Sequence, residues 1–109
     1  MTYEALAAAL TATGIPFREG AWRNAEEMRT DYGAYALDGR DDLNADDHHA
    51  EKMLEGTVDL FTADAGRIQK AKVEAALEAS GVFWRVGLAG SYEDDTGLTH
   101  WEWIFNCLE

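Results

Sequence analysis

Val82–Leu108, VFWRVGLAGSYEDDTGLTHWEWIFNCL, is the stretch on which the fold turns. Val82, Trp84, Val86 and Leu88 alternate with Phe83, Arg85 and Gly87, the period-2 pattern of a strand. EDDTG, residues 93–97, is a run of turn formers. Beyond it Trp101, Trp103, Phe105 and Cys107 share one face of a return strand, Leu98–Leu108. His100, Glu102 and Asn106 share the other, with Leu98 and Ile104. The reading is a β-hairpin holding three of the four tryptophans.

Working back from the hairpin, Asp64 is placed to cap a helix over Ala65–Ser80. Val73, Ala76, Leu77 and Ser80 form its apolar stripe, Ile68 and Ala75 widen that face, and Gly81 closes it. Before it, Lys52–Thr62 alternates most clearly. Leu54, Gly56, Val58 and Leu60 oppose Glu55, Thr57 and Asp59, as in a half-buried antiparallel strand. Tyr32–Asp38 reads as another strand, and Ile15–Ala21 as a short one. Trp22–Asp31 is polar and reads as a loop. DGRDDLNADDHH, residues 38–49, reads as an exposed hairpin or loop with room for a short strand at Asp42–Ala45. The chain opens with a helix over residues 2–13. Thr2 is its N-cap, Tyr3, Leu6, Leu10 and Thr13 form one face, and Gly14 and Pro16 end it. The expected fold is α+β: a mainly antiparallel sheet of about five to six strands with two helices packed on one face.

With 109 residues, no repeat and no Pro/Gly/Ser linker, residues 1–109 read as a single domain. Such a chain buries roughly 65% of its unfolded surface, so one core suffices without staples. Nine Lys and Arg against 21 Asp and Glu leave a formal net charge of −12. That sign disfavours nucleic-acid phosphates and anionic membranes as partners, and favours solubility or a basic partner surface. The one cysteine, Cys107, excludes an internal disulfide and multi-cysteine metal sites, and its apolar surroundings suit an inert buried thiol. The opening MTYEALAAAL lacks the basic region of a secretory signal, and no apolar run reaches membrane-spanning length. The expectation is a protein made and kept in a reducing cytosol.

No catalytic constellation emerges, so the expectation is not an enzyme and no cofactor. Asp42, Asn44 and Asp46 imitate the start of an EF-hand loop, but Asp47 stands at its glycine and Met53 at its bidentate glutamate. Neighbouring His48 and His49 face opposite sides of a strand and cannot readily chelate together. A metal- or ligand-binding module would need Asp46, His48 and His100 to meet across two hairpins. His100 and Glu102 are neighbours on one strand face, without a second group that would make them an acid–base pair. The stripe Trp101, Trp103, Phe105 reads as core. Trp22, in a polar segment, reads as an interface residue, with Phe83 and Tyr92 next, since aromatic side chains concentrate binding energy at protein contacts. A bare acidic inhibitor mimicking nucleic acid is a further reading of the charge alone.

Taken together, TGIPFREGAW, YGAYALDG, EGTVDLFT, FWRV and EDDTGLTHWEWIF resemble small tail components encoded by long-tailed phages and prophages, over nearly the full length. EGTVDLFT and TGLTHWEW carry most of the resemblance. It implies a structural virion protein of the tail or neck, closest to the tail terminator or tail-completion type. Such a protein forms a homo-oligomeric ring, typically hexameric, on the end of the tail tube, touches the major tail tube protein, and presents a surface to the head–tail connector. A head–tail joining protein of the neck is the alternative within the same class. The resemblance implies no catalytic residues. It places the protein in the virion after assembly in the bacterial cytoplasm, without membrane or sequence-specific nucleic-acid contact. The contacts are expected from the loop around Trp22, from Asp46, Asp47, His48 and His49 in the acidic hairpin, and from Phe83 and Tyr92.

Overall fold

The computed structural model describes residues 1–20, 31–38, 53–63 and 67–108. Helix α1 spans Tyr3–Ala12, followed by β1 (Phe17–Glu19), β2 (Tyr32–Leu37) and β3 (Met53–Thr62). Helix α2 (Arg67–Ser80) leads into the hairpin of β4 (Phe83–Glu93) and β5 (Leu98–Leu108). The fold is α+β, as the alternation implies. Its five described strands run in the order β1-β2-β3-β5-β4. All neighbours are antiparallel except β1 and β2, which are parallel.

Local chemistry fixes the element ends. Thr2 Oγ1 accepts from the Ala5 amide at 3.1 Å, satisfying a donor that the first helical turn leaves open. Gly14 and Gly81 follow the two helices with φ of 84° and 82°, the left-handed closure expected of them. The first strand is shorter than the sequence suggests, Phe17–Glu19 against Ile15–Ala21, because Ile15 turns into the core and its amide bonds Thr13 Oγ1. The expected start of α2 at Asp64 and the short strand at Asp42–Ala45 lie outside the described residues.

The core forms where the alternating strands meet the helices. Register pairs Val58 with Trp103, Gly56 with Phe105 and Leu54 with Cys107, so these side chains share a face. Leu6 and Leu10 of α1 and Val73, Ala76 and Leu77 of α2 close over that face. Trp103 and Phe105 are fully buried. Each large apolar side chain so buried contributes about 1.5–3 kcal/mol. Ile68 and Ala75 are exposed, so the buried stripe of α2 is narrower than the sequence implies. Gly56 is needed for close approach: a Cβ there would sit 2.2 Å from the Ala36 carbonyl oxygen and 2.6 Å from the Phe105 ring.

Polar tips of the core find partners on the helices. Trp103 Nε1 donates to Glu74 Oε2 at 3.0 Å, and Trp84 Nε1 donates to Glu78 Oε2 at 2.7 Å. Lys70 pairs with Glu74 at 3.2 Å and lies over the Trp101 ring, 5.3 Å from its centroid. Residues 70, 74 and 78 are one helical turn apart, so α2 runs along the aromatic row of the hairpin.

The hairpin departs from simple alternation in β4. Val86 pairs with Trp103 but Leu88 pairs with Glu102, leaving Gly87 as an inserted residue. Ala89 and Gly90 together span the single position of Trp101 before Ser91 pairs with His100. Gly90 has φ 69°, and a Cβ there would lie 3.0 Å from the Trp101 ring. Leu88 therefore does not share a face with Val82, Trp84 and Val86, contrary to the alternation read from sequence. The insertion at Gly87 reverses the parity at Leu88, and the second one at residues 89–90 restores it, so Tyr92 again lies on the face of Val86.

Candidate functional site

Two features stand apart from the core: the free edge of β4, and a polar–aromatic cluster on the sheet face opposite the helices.

At the end of the sheet, β4 pairs with β5 alone among the described strands. Phe83 and Tyr92 are each 64% exposed, and Val86 and Leu88 are also exposed. These four are all but one of the exposed large hydrophobic side chains among the described residues; the other is Ile68 on α2. Glu78 of α2 holds Trp84 near the start of β4, and two register shifts interrupt the strand at residues 87–90. Edge strands with exposed apolar side chains are a liability unless something covers them. Arg85 is the strand's cation, and Glu93, Asp94 and Asp95 give the hairpin tip an acidic end.

On the opposite face, Asp59 Oδ1 lies 2.8 Å from His100 Nε2. Phe61 stacks between Tyr32 and His100, with ring centroids 4.8 and 4.2 Å apart. Glu93 Oε2 lies 3.8 Å from His100 Nδ1. Leu98 and Tyr32, on the same face, are buried at 3% and 7% exposure. The hydrogen bond to Asp59 raises the His100 pKa above its usual range. Burial opposes this, and the negative charges of Asp59, Glu93 and Glu102 reinforce it. The arrangement is a hydrogen-bonded Asp59–His100 pair buttressed by rings, and it ties β3 to β5 and to the end of β4.

Other groups are occupied in structural roles. Asp31 accepts from Thr62 Oγ1, the Ala63 amide and Gln69 Nε2 at 3.0, 2.8 and 2.8 Å, tying β3 to α2. It also borders a cavity of about 430 Å³ between Thr13–Pro16 and Gln69–Lys72. Tyr3 donates to Glu19 at 2.6 Å, and its pKa is raised by burial and by that carboxylate. Cys107 is fully buried and its thiol pKa is pushed up by burial, as an inert thiol requires. Among the described residues, no three His, Cys, Asp or Glu side chains are grouped to hold a metal ion. Nor is any described helix long and apolar enough to cross a membrane.

The expected interface residues divide accordingly. Phe83 and Tyr92 stand exposed on β4, near its two ends. Trp22, Asp46, Asp47, His48 and His49 lie outside the described residues, as do the EF-hand-like positions Asp42 and Asn44. Glu102, expected as the neighbour of His100, is not its bonded partner. That is Asp59, on the adjacent strand. Alternation already put Asp59 on the polar face of its strand; which strand lies next to β3 was the missing information. No protein-family model matches the chain, and no curated protein matches it either.

Proposed function

We propose that this protein is a structural component of the tail or neck of a long-tailed phage, acting as a tail terminator. Copies would form a ring on the end of the tail tube and present a surface to the head–tail connector. The observation that carries an assembly role is the group of exposed apolar side chains on the outer strand β4, Phe83 and Leu88 on one face and Val86 and Tyr92 on the other. Exposed side chains of this kind are what an interface core needs, since large apolar and aromatic side chains supply most binding energy. The choice of tail and neck proteins as partners rests on the resemblance of EGTVDLFT and TGLTHWEW. A head–tail joining protein would use the same edge.

The proposal assigns no catalysis. His100 is engaged by Asp59, and the Cys107 thiol is buried. The net charge of −12 suits a ring that DNA passes without adhering. Deleting the gene from its phage and imaging the particles tests the reading. Over-long tails, or heads and tails left unjoined, are expected; normal virions would refute it.

A further inference from the structure

We propose that two copies of the free protein pair antiparallel through β4, about a two-fold axis at Ala89, with Arg85 of each opposite Glu93 of the other. The inference rests on the reading of β4 as an assembly edge, but not on the tail assignment.

The charge order along the hairpin sets the direction. Arg85 lies near the start of β4, and Glu93, Asp94 and Asp95 at its end. A parallel pairing would set the acidic tips side by side. An antiparallel one brings each Arg85 to the acidic end of its partner, at both ends of the contact. Opposite charges facing each other across strands stabilise the pair, and like charges oppose it. Arg85 is exposed and makes no ion pair among the described residues, so it is available to a partner. Glu93 is one-third exposed.

The same register matches faces. An axis at Ala89 sets Val86 opposite Tyr92 and Arg85 opposite Glu93. Val86 pairs with Trp103 and Tyr92 with Thr99, so both point to the helix side of the sheet. Arg85 pairs with Ile104 and Glu93 with Leu98, so both point to the other side. A two-fold axis perpendicular to the sheet preserves this sidedness, so Val86 meets Tyr92 and Arg85 meets Glu93 at both ends of the contact. Gly87, Ala89 and Gly90, small residues at the register shifts of the strand, fall near the axis.

A second copy is thus the occupant that this edge complements from its own sequence. The contact is isologous and saturates at two copies. One strand edge buries less than the roughly 800 Å² per partner typical of stable complexes, so the dimer is weak and concentration-dependent. It would cover the apolar edge in the free protein and give way when a virion neighbour takes its place.

Sedimentation equilibrium over a concentration series tests the pairing. The wild type should move from monomer towards dimer. Arg85→Glu should weaken association about tenfold, and Arg85→Glu combined with Glu93→Arg should restore it. Circular dichroism establishes that each variant is folded. A cysteine at the axis gives a second readout. Directly opposed residues on antiparallel strands lie about 4.5–5.5 Å apart between Cα atoms, within disulfide range. Ala89→Cys should therefore cross-link to itself under oxidised glutathione, faster than Thr96→Cys at the tip. A wild type that stays monomeric up to its solubility limit would overturn the proposal. So would a dimer that ignores both charge reversals, or equal cross-linking at positions 89 and 96. A monomer whose gene is still required for joined particles would sink this pairing and leave the tail reading standing. A dimer whose deletion leaves virions normal would do the reverse.

Discussion

Removing the His100–Asp59 pair should change how stability depends on pH, and the sign follows from the direction of the shift. The folded state favours the imidazolium form of His100 through the hydrogen bond to Asp59 at 2.8 Å, with Glu93 and Glu102 adding negative charge. The folded pKa is therefore above the unfolded value of about 6.5. A raised basic group adds stability that is fully present below the unfolded pKa and is lost as pH rises through the folded one. A hydrogen bond to a charged partner contributes about 1.5–3 kcal/mol. Here the side chains are 21% and 23% exposed, which admits some screening and favours the lower half of that range. For a domain this size, about 1.5 kcal/mol corresponds to roughly 6 °C in Tm.

The assay is thermal melting by circular dichroism from about pH 5.5 to pH 9, on the wild type and on His100→Gln. These limits bracket the ordinary histidine range. Comparing the two removes the titration of His48 and His49, which both proteins share. The wild type should exceed the variant by about 6 °C at the acidic end, converging as pH rises above the folded pKa. Asp59→Asn should flatten the wild-type curve in the same way. A difference that is flat across the range, or that grows towards alkaline pH, would refute the assignment of His100 as a charged partner of Asp59.

Four further outcomes follow from the packing. Gly56→Ala drives a methyl against the Ala36 carbonyl between β2 and β3, and should cost about 2–3 kcal/mol in urea unfolding; a neutral effect would contradict the β2–β3 register. Glu74→Ala leaves the Trp103 indole N–H without its partner and should cost about 1–2 kcal/mol, read by the same unfolding curve. Phe83→Ser and Tyr92→Ser alter exposed side chains and should leave monomer stability within about 0.5 kcal/mol; a large loss would place these residues in the core. Cys107 should resist a thiol reagent such as dithionitrobenzoate in the native protein and react after denaturation, because it is fully buried. Rapid native labelling would contradict its position.

Much of the fold was legible because alternation and capping are local signals. Thr2, Gly14 and Gly81 marked helix ends, and Leu54–Leu60 and Trp101–Cys107 marked inward faces that the registers of β3 and β5 respect. What stayed hidden depends on neighbours. Nothing in the strand patterns places β5 between β3 and β4, so the Asp59–His100 bond and the Tyr32–Phe61–His100 stack were not readable from either strand alone. The bulge at Gly87 likewise broke an alternation that looked continuous, because an inserted residue changes parity without changing composition. Phe83 and Tyr92, expected at an interface, stand exposed. Their concentration with Val86 and Leu88 on one free edge became visible only with the strand order.

For the proposed tail role, complementation of a gene-deleted phage with folded β4 variants is the most direct test. A gene carrying Phe83→Asp and Tyr92→Asp should fail to restore joined, correctly terminated particles in electron micrographs. Ile68→Asp, which alters an equally exposed apolar residue on α2, should restore them. Normal virions from the β4 variant would contradict the claim that this edge is where the protein works.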